Sequence, residues 1–368
     1  MSSAQPSTDP ASSPSAELSP GRHRGSLLVC ALVLAYASLY PFVPLRLPAA
    51  DAVALFLQLR YLTGFDIALN VVAYVPLGAL AVLALRASGA YRHVIAKAAV
   101  IGFGFSAVME ALQLFIPFRV AQVADVASNT LGSLIGALLF ARPVYERITR
   151  PLEALRDRLV EPGPWGDAGL ALVTLWLIAQ LNPALPFFEA GSIGSAGDTD
   201  PFEGDVVILA LQAMAIGLST CGFGLFVSSL LRGPDGALRA TVALLSIALW
   251  LKFVTAATML KPQLSADWVN EVRVIGLAAG LLIFIPLREL QRSTRTYLAM
   301  MLVLAGALFA RIVGDYSPMD DLVRLFRWPH GQLSTFTSLT RYLHEVWPLL
   351  VMGYLIAYFV SGRGRDVR

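Results

Sequence analysis

The sequence predicts an all-α protein: a polytopic transmembrane helical bundle of about ten spans with both termini cytoplasmic. Three observations predict it. Of 368 residues, 56% are hydrophobic and only 14% are charged, with a mean hydropathy of +0.65, whereas soluble domains carry about 25% charged residues. Apolar runs of roughly 17 to 25 residues recur along the chain, each long enough to cross a hydrocarbon core of about 30 Å as a helix. The basic residues gather in alternate connecting segments, as expected where they stay on the cytoplasmic side. Helices are the expected element because lipid offers no partner for an unpaired backbone amide.

The elements follow in order. Residues 1–25 are rich in Ser, Pro and Ala without apolar periodicity, and read as a disordered tail. Arg22 and Arg24 precede an apolar run at 27–44. It is read as a retained first helix rather than a signal peptide, because no clean small-residue cleavage site follows and further spans do. The remaining spans are expected at 66–85, 96–115, 121–141, 168–187, 206–230, 239–259, 273–287, 297–313 and 346–361, with 322–345 unassigned. Between the fourth and fifth, Val144, Ile148, Leu152, Leu155 and Leu159 fall at helical spacing among Arg147, Arg150, Arg156 and Arg158. That pattern fits an amphipathic helix on the cytoplasmic leaflet, a soluble linker helix or a stop-transfer charge cluster. The chain thus divides into a four-helix membrane domain at 26–141, an amphipathic cytoplasmic linker at 142–164, and a C-terminal membrane domain of about six helices at 165–368.

With both termini inside, the cytoplasmic segments hold about two thirds of all Lys and Arg, including Arg86, Arg92, Lys97, Arg232, Arg239, Arg288, Arg292 and Arg295. One outer loop carries Glu189, Asp198, Asp200, Glu203 and Asp205 and no basic residue. Topology therefore explains the net charge of +3 without a nucleic-acid partner. Cys30 and Cys221 lie inside apolar runs, which suits packing better than a disulfide or a zinc site. No metal site, Walker motif or cofactor is read from the sequence. Lys252, in the outer half of the seventh span, reads as a carboxylate partner or a snorkelling cation. Trp165, Trp268 and Trp347 read as interface anchors.

Three helices of the first domain carry paired polar side chains: Asp66 with Asn70, Glu110 with Gln113, and Asp125 with Asn129. Members three or four residues apart share one helix face. Such groups are costly in a bilayer and usually face a bundle interior, pair with one another or line a pathway. Asn70 and Asn129 lie near the starts of inward-running helices. Glu110 precedes Pro117 by seven residues, roughly 10 Å of helix rise. All three pairs are therefore expected in the outer leaflet, with Arg119 closing over them as a counter-charge or anion clamp. Gly132 and Gly136 make a small-residue stripe, and Pro76 with Gly78 interrupts the second helix. The bland alternative is that these groups merely hold four helices together. Ser106 reads as a packing hydroxyl.

The ordered set Asp66, Asn70, Pro76, Gly78, Glu110, Gln113, Arg119, Asp125, Asn129, Gly132 and Gly136 resembles the VanZ-like family, over roughly residues 27–141. The resemblance implies a four-helix membrane module, named for a teicoplanin-resistance determinant, whose matched polar positions form a shared site. Gln122 departs from the small polar or acidic residue that many members carry between the Arg and the Asp.

The expected function is a noncatalytic protein of a bacterial cytoplasmic membrane. Its outer-leaflet pocket would bind or pass an amphipathic ligand: a membrane lipid, a lipid-linked cell-envelope intermediate or a lipoglycopeptide. Alternatives are an intramembrane hydrolase or transferase with Glu110 as general base, and a scaffold for envelope assembly. The four histidines, His23, His93, His330 and His344, all fall outside the proposed pocket, which disfavours His-dependent chemistry, and no catalytic residue is assigned. Arg119→Cys and Asp200→Cys are both expected to react with a membrane-impermeant thiol reagent added from outside intact cells. Labelling of either only after the membrane is permeabilised would reverse the topology.

Overall fold

The computed structural model describes residues 20–40, 42, 44–48, 54, 56–57, 64–90, 92–116, 119, 121–185, 187–188, 206–261, 269–313, 325–326 and 333–362. Most of the Ser-rich tail, Pro117, the acidic loop from Glu189 to Asp205 and Trp268 lie outside the described residues. The chain forms two compact units, Met1–Arg150 and Pro151–Arg368.

The first unit contains α1 (Pro20–Leu39), α2 (Gly64–Ala87), α3 (Val94–Gln113) and α4 (Val123–Leu138). The first span ends at Leu39, earlier than expected, because the chain leaves the helix just ahead of Pro41. α2 and α4 run side by side at backbone contact. A Cβ on Gly132 would collide with the Val71 carbonyl, one on Gly136 with the Val75 carbonyl, and one on Gly78 with the backbone of Ser133. Pro76 differs from these three glycines: it is inside α2 but exposed. The carbonyl it releases belongs to Val72, itself exposed. At the far end of these helices Ala81, Val82, Val94, Ala98 and Ala137 form an apolar cluster.

A short helical turn (Arg142–Val144) and a π-helical turn (Tyr145–Thr149) lead into α5 (Arg150–Leu159), the first helix reaching into the second unit. Ile148, Leu152, Leu155 and Leu159 are exposed. The second unit continues with α6 (Pro164–Ala179), α7 (Val206–Leu230), α8 (Ala237–Met259), α9 (Glu271–Leu287), α10 (Arg292–Val313) and α11 (Leu333–Val360). α7 is apolar around its whole circumference and is buried continuously from Thr220 to Leu230, which makes it the central helix. Aromatic side chains fill the space beside it, with Trp176 stacked on Phe223 at 4.2 Å between ring centroids.

Three expectations for this unit change. The last helix begins at Leu333 rather than 346, because Arg341 Nε pairs with Glu345 Oε1 at 3.0 Å one turn away and carries the helix through its polar stretch. Trp347 is a core residue, 5% exposed, whose Nε1 donates to the Leu172 carbonyl at 2.8 Å. Lys252 is fully buried; its Nζ donates to the carbonyls of Leu185 and Asn182 at 2.8 and 3.1 Å, beyond the end of α6. At the opposite end of α6, Glu161 Oε2 accepts from Arg292 Nη2 and from the Tyr358 hydroxyl, each at 2.5 Å, tying α10 and α11 together.

Helices stand where each of the ten apolar runs was expected. Six contain segments long and apolar enough to cross a membrane: Asp66–Ala87, Val94–Gln113, Val206–Leu230, Ala237–Met259, Arg292–Ile312 and Phe336–Val360. Arg24–Leu39, Val123–Leu138 and Pro164–Ala179 are shorter apolar helices.

Gly136→Ala is expected to lower unfolding stability in detergent by about 1–3 kcal/mol, because a methyl at this contact must push α2 and α4 apart. Gly104→Ala, in α3 with open space around it, should cost nothing. Equal losses in the two variants would show that the α2–α4 contact is not specially tight.

Candidate polar site

The site forms where α1 and α3 end and α4 begins, with the N-terminal part of α2 beside them. Buried helix ends carry unsatisfied backbone groups, and side chains from neighbouring helices supply the partners here. Gln113 Nε2 donates to the Ser38 carbonyl at 3.0 Å. Arg119 Nη2 donates to the Ala37 carbonyl at 2.6 Å and its Nε to the Tyr40 carbonyl at 3.0 Å. The last turn of α1 is thereby held onto the end of α3 and the turn that follows it.

The start of α4 is treated in the complementary way. Gln122 is its extended N-cap residue and supplies no side-chain cap. The Gln122 N–H instead donates to Glu110 Oε2, from α3, at 3.0 Å. Asp125, in the first turn of α4, accepts from Asn70 Nδ2 of α2 at 2.7 Å. Both carboxyls therefore lie at the positive end of the α4 dipole, where negative charge is favoured. They are close enough to interact electrostatically with each other, and Arg119 is within the same range of Glu110. Burial pulls the Arg119 guanidinium below its ordinary pKa, and the Glu110 carboxyl works in the opposite direction.

Deeper in the module Asn129 Nδ2 donates to Ser106 Oγ at 2.8 Å. Asp66 is buried one turn before Asn70. Six of the seven polar residues singled out in the sequence are thus buried at the same end of this unit, and Arg119 is half-buried in the turn beside them. Asn70 and Asp125 bond directly, Glu110 and Asn129 reach backbone or hydroxyl partners, and Gln113 and Arg119 serve α1. Among the described residues no group of three His, Cys, Asp or Glu side chains is placed to hold a metal ion.

Residues 11–145 match the VanZ/LLP1 family model. This part of the chain is VanZ-like. The match ends within a few residues of the first unit's boundary, and the later helices extend the chain beyond the VanZ-like module. With six long apolar segments among the described residues, the chain is an integral membrane protein. Comparison with curated proteins and with solved structures finds no match.

Tyr74 is the site residue that sequence reading missed. It is 3% exposed, and its hydroxyl lies beside Ser106 and Ser38, within electrostatic range of Glu110 and Asp125. It therefore lies beside side chains of α1 and α3 and feels the carboxyls of α3 and α4. The available signal was its place one turn after Asn70 on the Asp66–Asn70 face, where an aromatic in an apolar run passes for a packing residue. Gln122, noted in the sequence only as a departure, caps α4 through its backbone, while its side-chain Oε1 is buried without a hydrogen-bond partner.

A double-mutant cycle with Asn70→Leu and Asp125→Leu, read by unfolding in detergent, is expected to give a coupling of about 0.5–2 kcal/mol. Additive losses would mean that the 2.7 Å contact contributes nothing of its own.

Proposed function

We propose that the VanZ-like module is a noncatalytic handling site for an amphipathic or lipid-linked ligand, opening toward the outer leaflet of a bacterial cytoplasmic membrane. One observation carries this reading: two carboxyls, Glu110 and Asp125, are buried side by side at the N-terminal end of α4. An ionisable group at membrane depth is a functional hypothesis by default. The unpartnered Gln122 Oε1 next to Glu110 adds an acceptor. Ligand donors such as sugar hydroxyls, amides or an ammonium group suit this acceptor-rich surface.

Arg119 enters the reading through α1. Its hydrogen bonds to Ala37 and Tyr40 make it a clasp between α1 and the turn ahead of α4. Release of that clasp is a route by which α1 admits a ligand from the lipid. Handling a lipid-linked envelope precursor or a lipoglycopeptide in this way would contribute to glycopeptide resistance. The noncatalytic choice is favoured because Ser106 Oγ accepts from an amide rather than facing a base, and a nucleophile needs a base within reach.

The test is binding and turnover of a fluorescent polyprenyl-pyrophosphate-linked saccharide by the purified chain, its Glu110→Gln and Arg119→Ala variants, and native protein without the probe. Binding by the native chain, weakened several-fold in Glu110→Gln and without product in any sample, is the expected result. Product made by the native chain and absent from Glu110→Gln would establish an enzyme instead. Equal binding by all three would remove these residues from the site.

A further inference from the structure

Behind the carboxyls lies a layer of buried polar atoms that the bundle leaves unmatched. The Tyr74 hydroxyl, Asn129 Oδ1 and Ser133 Oγ have no hydrogen-bond partner within the protein, and their residues are 3%, 5% and 0% exposed. They come from α2 and α4 and face the same stretch of α3. Asn129 is bonded to Ser106 at 2.8 Å, the Tyr74 hydroxyl lies beside Ser106, and Ser133 Oγ packs against Gly102, one turn from Ser106.

A buried hydroxyl or amide oxygen without a partner costs about 1–3 kcal/mol, and the cost persists at membrane depth, where lipid offers no substitute. Three such atoms within adjacent turns are explained together if a water lies among them. An internal water is stable where it finds roughly two to four polar partners, and the donor and acceptor inventory allows this. Asn129 Oδ1 accepts one water O–H, the Tyr74 hydroxyl donates to the water oxygen, and Ser133 Oγ or a carboxyl takes the second O–H.

We propose that the VanZ-like module holds an internal water site bounded by Tyr74, Ser106 and Asn129, extended one turn by Ser133, that hydrates the Glu110–Asp125 carboxyls from the bundle side. The site is blind. Beyond Ser133 the helices close on Ala81, Val82, Ala98 and Ala137, all 0% exposed and all apolar, so water reaches the carboxyl layer and stops. The ligand is water itself, and the site is independent of any ligand that reaches Gln122.

Water-edited solid-state NMR on the full chain in lipid tests this directly, by following polarisation from water into assigned side chains. The Asn129 side-chain nitrogen and the Tyr74 ring carbon bearing the hydroxyl should receive it about as early as exposed Arg92, while Ala81 and Ala98 stay late. Tyr74→Phe should cut the early transfer to Asn129 several-fold. If Asn129 and Tyr74 in the native chain build up as late as Ala81, the layer is dry and the proposal fails, whatever the variant does. Undiminished transfer to Asn129 in Tyr74→Phe would overturn Tyr74 as a wall of the site, and early transfer into Ala98 would overturn its blind end.

Discussion

The contact between α2 and α4 is the constraint on which the polar site depends. Apolar burial gives helices little reason to associate in lipid, because lipid tails are as apolar as the side chains. Close packing and interhelical hydrogen bonds must do the work instead. Gly78, Gly132 and Gly136 present no Cβ at three points of this contact and let the carbonyls of Val71, Val75 and Ser133 rest directly against the opposite backbone. Only at that separation do side chains as short as Asn70 and Asp125 meet at 2.7 Å. The glycine stripe and the polar pairs are two faces of one arrangement, since a wider helix pair would leave Asp125 buried with its partner out of reach.

Given that frame, the rest of the site follows from the needs of helix ends. α1 ends and α4 begins against neighbouring segments, and their end groups find partners elsewhere in the fold. Cationic and amide donors, Arg119 and Gln113, meet the carbonyl end of α1, and the Glu110 carboxyl meets the N–H end of α4. Each sign of charge matches the dipole end it faces. The second unit uses the same device: the Lys252 ammonium is satisfied by the carbonyls of Asn182 and Leu185 just past α6. Arg232 Nε donates to the Val160 carbonyl at 3.1 Å just after α5. Buried Lys252, half-buried Arg119 and exposed Arg232 alike help to end helices.

Much of this was legible in the sequence because lipid imposes a simple rule on it. Apolar runs mark helices, and the polar residues inside them stand out against that background, so Asp66, Asn70, Glu110, Gln113, Asp125 and Asn129 could be found by inspection. Helix ends were harder. The last helix starts thirteen residues before its expected first residue, since Leu333 precedes 346, because an i,i+4 ion pair hides polarity that a hydropathy reading takes for a loop. Tyr74 and Trp347 escaped for a different reason. An aromatic with one polar atom is read by its ring, and only the fold reveals that the Tyr74 hydroxyl lies beside α1 and α3 or that Trp347 lies in a core rather than at an interface. The partners of Arg119 were also out of reach, because main-chain carbonyls some eighty positions away leave no mark on composition.

The pairing geometry bears on whether the carboxyls are there for the fold alone. Glu110 accepts the Gln122 backbone N–H, and among its contacts Asp125 accepts an amide N–H from Asn70. A glutamine and an asparagine of nearly the same shape present a carbonyl oxygen at the same places and accept both of these bonds without a charge. Ionisable groups at membrane depth are expensive, and these two stand within electrostatic range of each other, which adds repulsion whenever both are ionised. A bundle that needed only these two hydrogen bonds would be served at lower cost by amides, as Gln113 and Asn129 already serve it elsewhere in the same module. What a carboxyl offers beyond an amide is the ability to gain and lose a proton and to hold a charged or donor-rich partner. Two such groups at the N-terminal end of α4 are more than these two hydrogen bonds require, and the helix-capping geometry is how the fold tolerates them.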